Sequence, residues 1–306
     1  MQWLAAFIMR GRSAAVLVAA ASGVLFWLFP PFLIVAGAVI ALITLRRGAV
    51  EGALVIVLGG LAAAVYAWLA LRTPLPILRV LLLCWIPVWL LALVLRNTIS
   101  ISRTLQVSAF LGVFGVVSLY LSLGDPLPWW EHILEQFHQK LISGMVPQQT
   151  PDYYVALEQL IGLLKEWAPY LIGQLVSVSL LFIFAALLLG RWWQALLFNK
   201  GGFRTEFQEL RLGRPLAICT IALFGSAVVS AWIPLSNIVL VLGILYTVQG
   251  IALVHSMLFK LRISNTWLIL FYLLLIPILS QFVMVLGLAD AWADFRNLIQ
   301  KRLDKR

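Results

Sequence analysis

The chain has 306 residues, of which 63% are hydrophobic and 11% charged, with a mean hydropathy of +1.01. So little polar surface excludes a water-soluble globular domain of this size. The excess of 22 Lys and Arg over 12 Asp and Glu is assigned to loops facing anionic membrane lipid, with no nucleic acid partner.

A hydrocarbon core of about 30 Å takes about 20 helical residues to cross. The apolar residues fall into about nine runs of that kind, predicting an all-α, polytopic transmembrane helical bundle of about nine spans, with eight as the alternative. In chain order, Ser13–Leu28 follows Arg10 and Arg12 and reads as an uncleaved first span. It ends at Phe29-Pro30-Pro31-Phe32, where prolines without amide hydrogens stop a helix. Phe32–Leu45 then returns to Arg46 and Arg47, making a hairpin of two short arms.

Further runs cover Ala53–Leu71, Val80–Leu95, Leu105–Leu123 and Leu171–Gly190. Pro215–Trp232, Ile238–Phe259 and Trp267–Leu288 complete the set. The expected divisions are an N-terminal bundle of about five spans over 1–123, a polar segment at 124–168, a second bundle of about four spans over 169–288, and a basic tail at 289–306. With the N-terminus inside, the inner loops hold thirteen Lys and Arg residues and the outer loops four, which supports that orientation. The tail dissents. Nine crossings place Arg296, Lys301, Arg302, Lys305 and Arg306 outside, and the short Phe32–Leu45 arm is the suspected miscount.

The polar segment carries Trp130, Ile133, Leu134 and Phe137 at helical spacing, so Trp130–Ser143 reads as an amphipathic helix. Trp129 and Trp130 suit the headgroup level. The segment is either a cap over an outward-facing ligand pocket, with both tryptophans as ligand contacts, or a helix lying on the membrane. His132, Glu135 and His138 sit at i, i+3 and i+6 rather than the i, i+4 of paired histidine ligands, so no metal is assigned. A second helix is expected near Pro151-Asp152.

Inside the membrane, Gln249 and His255 share one span. They are candidate ligand-binding residues, with interhelical hydrogen bonding as the competing role. Small residues four apart, Ala15 and Ala19 or Gly37 and Ala41, serve helix packing or a partner interface. The loop Arg191–Arg214 interleaves aromatic with charged residues and predicts a short interfacial helix, with Arg191, Arg204, Arg211 and Arg214 on lipid headgroups. Cys84 and Cys219 lack metal or redox spacing and read as buried small hydrophobes. No nucleotide-binding, hydrolase or metalloprotease motif is present, so no cofactor and no enzymatic activity are expected.

Four stretches together resemble the YybS-type family of bacterial inner-membrane proteins. They are Arg191-Trp192-Trp193 through Gly202-Phe203, Glu209–Leu212, Val248–His255 and Gly287–Arg296. The resemblance implies a bacterial cytoplasmic membrane location. That family is distantly similar to the substrate-binding subunits of energy-coupling-factor transporters, bundles with fewer spans that dock a partner through small residues in the first span. It implies a non-catalytic, transport-related subunit with other membrane subunits as partners, and Ala15 and Ala19 occupy the docking position. The alternative is a scaffold or assembly factor for envelope biogenesis.

Overall fold

The computed structural model describes residues 1–125, 127–143, 151–264 and 266–303, and every regular element among them is helical. A short α1 (Gln2–Met9) precedes the first expected run; α2 (Arg12–Leu25) and α3 (Phe32–Arg47) flank the paired prolines. Next come α4 (Ala49–Leu71), α5 (Leu75–Thr98) and α6 (Ile101–Leu123). The polar segment folds as α7 (Leu127–Ser143) and α8 (Pro151–Trp167). From α8 a 3-10 turn leads into α9 (Leu171–Phe198). The last third holds α10 (Gly202–Gln208), α11 (Arg214–Ser230) and α12 (Ile233–Lys260). It closes with α13 (Thr266–Leu274), a π-turn, α14 (Ser280–Ala293) and α15 (Phe295–Leu303).

Five stretches are long and apolar enough to cross a membrane: α4, α5, α6, the α8–α9 rod and α12. The other four expected runs lie in the shorter α2, α3 and α11 and in the interrupted α13–α14.

Although short, α3 is the centre of the N-terminal half. Every residue from Ala36 to Leu45 is buried, enclosed by α2, α4, α5 and α9. Small residues allow this close fit. A Cβ on Gly37 would lie 2.8 Å from that of Ala186, and one on Gly190 would lie 2.6 Å from that of Ala41. Two small residues four apart on α3 thus meet two on α9, and the backbones approach.

The molecule has two unlike ends, separated by the length of α9, about 42 Å for 28 residues. One end gathers arginines. Arg47 donates to the Met9 carbonyl at 2.7 Å, Arg12 pairs with Glu51 at 2.5 Å, and Arg46 lies 3.9 Å over the Phe198 ring. The opposite end carries α7 and α8, which close on buried Leu134, Leu157 and Ile161. The C-terminal segment returns to the arginine-rich end: Lys260 Nζ at the end of α12 donates to the Arg296 carbonyl at 3.0 Å.

Candidate functional site

Between α10 and α11 the backbone leaves helical geometry at residues 209–213, yet Leu210 and Leu212 are fully buried. Buried peptide groups without partners are costly, above all at membrane depth. Four side chains meet that need. Arg296 donates to the Leu210 carbonyl at 2.9 Å, and the Arg211 amide donates to Ser102 Oγ at 3.0 Å. The Leu212 amide donates to Gln249 Oε1 and Gln106 Nε2 donates to the Leu212 carbonyl, both at 2.8 Å. Gln249 thus acts as a clamp. Its Nε2 also donates to the Gly287 carbonyl at 2.8 Å and reaches Asp290 at 3.3 Å.

Asp290 and Arg296, which the sequence assigns to a basic tail, are 1% and 4% exposed. Their charges face each other at 3.4 Å. Arg296 Nε and Asp290 Oδ1 take no hydrogen bond among the described residues, so the pair is incompletely satisfied. Burial pushes the Arg296 guanidinium down from its usual value, and Asp290 works against that shift. At the edge of this cluster Arg211 pairs with Asp294 at 2.5 Å, and Arg214 donates to the Ala291 carbonyl at 3.2 Å. Partial burial raises the Asp294 carboxyl, but bonds from Arg211 and Asn297 outweigh it and hold the group below 3.8. Three of the four stretches carrying the family resemblance, Glu209–Leu212, Val248–His255 and Gly287–Arg296, therefore meet in space.

Beside the clamp lies a cleft of about 320 Å³ between α10, α12 and α13. Phe203, Phe207 and Phe259 wall it, and Arg204, His255 and Tyr272 supply its polar edge. The Arg204 guanidinium lies 3.9 Å over the Phe259 ring. His255 Nε2 is 2.8 Å from Tyr272 Oη and its ring meets Phe207 edge-on at 5.6 Å. Gln208 Nε2 donates to the His255 carbonyl at 3.4 Å, tying α10 to α12 at the cleft just before the clamped segment begins. A second cleft of similar size lies on the other side of α10, where Arg191 pairs with Glu206 and Arg96 donates to the Thr44 carbonyl at 2.9 Å.

Of the expected site residues, Arg204 and His255 share one cleft, while Gln249, Arg211 and Arg214 gather at the clamp. Arg191 stands at the second cleft. Trp129 and Trp130 are at the opposite end, Trp129 exposed and Trp130 with its indole nitrogen buried and unbonded among the described residues. Ala15 and Ala19 are fully buried inside the chain, where Ala19 faces Gly59 of α4. His132, Glu135 and His138 turn to separate partners, Gln136, Gln139 and Glu158. The Gln139 bond holds the Glu135 carboxyl below its usual range.

One expectation is corrected. Cys84 is buried but Cys219 is exposed, because α11 turns only Ala217, Thr220 and Ala227 inward. The sequence also misses Asn237, a fully buried hub near the start of α12. It accepts from the Gly173 amide at 2.6 Å and donates to Tyr120 Oη and the Pro169 carbonyl, each at 2.9 Å. An asparagine inside an apolar run is the signal that points to it.

The comparisons return nothing similar. No family model matches the chain, and neither does any curated protein or solved structure.

Proposed function

We propose that this chain is a non-catalytic, multi-pass protein of the bacterial cytoplasmic membrane, of the YybS type, that binds a small amphiphilic molecule at its arginine-rich end. Any energy for transport comes from partner membrane subunits. The observation that carries this reading is the meeting of Arg204 and His255, distant in sequence, in one aromatic-walled cleft. A concave apolar pocket with a few convergent polar groups is the ordinary form of a small-molecule site. On this reading the ligand sits at the opposite end from the Trp129–Ser143 helix.

The same reading puts the arginine-rich end in the cytoplasm and counts eight crossings. Support comes from the contact of Lys260 with Arg296, since the chain leaves α12 and reaches α15 at the same end. The α13–α14 segment then enters and leaves at one face, and the basic tail joins the thirteen inner cationic residues against four outside. A reporter fused after Arg306 tests this: cytoplasmic activity agrees with eight crossings, and periplasmic activity overturns them. Ligand binding is tested by purifying the full chain in mild detergent and identifying retained small molecules by mass spectrometry. A stoichiometric small molecule agrees with the reading, whereas a preparation that retains none supports the scaffold alternative.

A further inference from the structure

At the arginine-rich end Arg46 and Arg204 each lie over a phenylalanine ring, but Glu206 lines the cleft of Arg46, whereas the cleft of Arg204 has no carboxylate among the described residues. Arg12, Arg191, Arg211 and Arg296 each face a carboxylate: Glu51, Glu206, Asp294 and Asp290. Arg204 faces none among the described residues, and no carboxylate lines the cleft. Its guanidinium is seated on the Phe259 ring, which occupies one face of the plane and leaves the N–H edge free to donate. A second donor stands across the cleft. With His255 and Tyr272 sharing one hydrogen at 2.8 Å, one further N–H or O–H of the pair remains for a ligand oxygen. The remaining wall is apolar, with Phe203, Phe207, Leu258 and Leu268.

A charged edge facing an apolar wall fits an anion attached to a hydrocarbon. The volume of about 320 Å³ lies at the small end for ligand pockets, enough for a phosphate and its glycerol but not for whole acyl chains. Phe259 and Tyr272 are half exposed at the rim, giving such chains an apolar way out. We propose that the cleft holds the headgroup of an anionic phospholipid from the facing leaflet, with its phosphate on Arg204 and the His255–Tyr272 pair. This rests on the ligand-binding reading above and specifies the ligand class.

The test uses the full chain in detergent and native mass spectrometry, with dihexanoyl phosphatidylglycerol, dihexanoyl phosphatidylcholine and inorganic phosphate as separate probes. One phosphatidylglycerol should bind the wild type in preference to phosphatidylcholine, and Arg204→Gln should weaken it about tenfold, as expected for the loss of one charge-assisted hydrogen bond. Arg103→Gln, at the same end but outside the cleft, should bind as wild type does. Arg204→Lys keeps the charge without the planar fork, so an intermediate affinity is expected, and it replaces Arg204→Gln if that variant fails to fold. Equal binding by the wild type and the Arg204 variants overturns the proposal, as does equal affinity for phosphatidylcholine. Inorganic phosphate displacing the lipid at equal concentration would identify a soluble anion site instead and also overturn it. These failures leave the general ligand-binding reading standing if another small molecule co-purifies, and that reading falls only when none does.

Discussion

Two buried amides on α12, one near its start and one past its middle, solve one problem in different ways. Asn237 and Gln249 are both fully buried amides, about 18 Å apart along the helix, and each fastens non-helical or helix-terminal backbone from elsewhere in the chain. The Asn237 joint is neutral, and its amide finds partners on both sides in Gly173, Tyr120 and Pro169. Gln249 instead adjoins a buried ion pair whose hydrogen-bonding capacity is only partly used. A neutral joint needs only to hold. A charged, half-satisfied cluster costs stability to keep, and it holds the segment that follows Gln208 of the cleft. The difference is consistent with the ligand site proposed at the arginine-rich end.

The sharpest way to break this contrast is Arg296→Met. It leaves the Asp290 carboxylate buried and unopposed, and losing one partner of such a pair costs about 3–5 kcal/mol. Unfolding in mixed detergent micelles should show that loss, with much of it restored by Asp290→Asn on the same background. No restoration would mean that the charge of Asp290 is not what makes the single variant unstable.

Steric changes come next. A Cβ on Gly250 would overlap the Val283 carbonyl oxygen, and one on Gly287 would overlap that of Tyr246. Backbone cannot yield as a side chain does, so Gly250→Val and Gly287→Val should each cost about 1–3 kcal/mol or more. Gly225 has open space around it, and Gly225→Val is the control expected to change little. Smaller still are the amides. Asn237→Leu and Gln249→Leu each strand backbone groups, and about 1–2 kcal/mol is expected for either, given how modest such bonds prove within membranes. Only Gln249→Leu should also weaken ligand retention, because only that joint holds the segment that continues from Gln208, which lines the cleft. Equal retention by both variants would remove the functional distinction between the two joints.

How much of this was legible beforehand depends on whether a feature is local. Apolar runs are local, and each expected run contains a helix. The amphipathic pattern of Trp130–Ser143 became α7, and the aromatic-basic alternation after Lys200 became α10. Phe32–Leu45 looked suspect for its length, yet α3 is the best-enclosed helix, because enclosure depends on which neighbours have small residues. Gln249 was visible as a polar residue in an apolar run, but its partner Leu212 was not, since nothing local signals that residues 209–213 insert into the bundle. Asp290 and Arg296 looked like members of a solvated tail for the same reason. Charge counting places residues by their position in the chain, whereas burial depends on what folds back over them.

The smallest effect expected at the arginine-rich end is the dependence on pH through Asp294. Its carboxyl, held below 3.8 mainly by Arg211 against the opposing pull of burial, is more acidic folded than unfolded. The stability it contributes is therefore present in full above 3.8 and is lost as the pH falls through the lower folded value. Because the pair is partly exposed to solvent, the whole contribution should be about 0–1 kcal/mol. Asp294→Asn lacks this step, so the difference in unfolding midpoint between wild type and variant should shrink as the pH is lowered from about 6 to about 3. Asn237→Leu, at the neutral end, should show a constant difference over the same range. A constant difference for Asp294→Asn as well would show that the Arg211 pairing does not stabilise the folded tail.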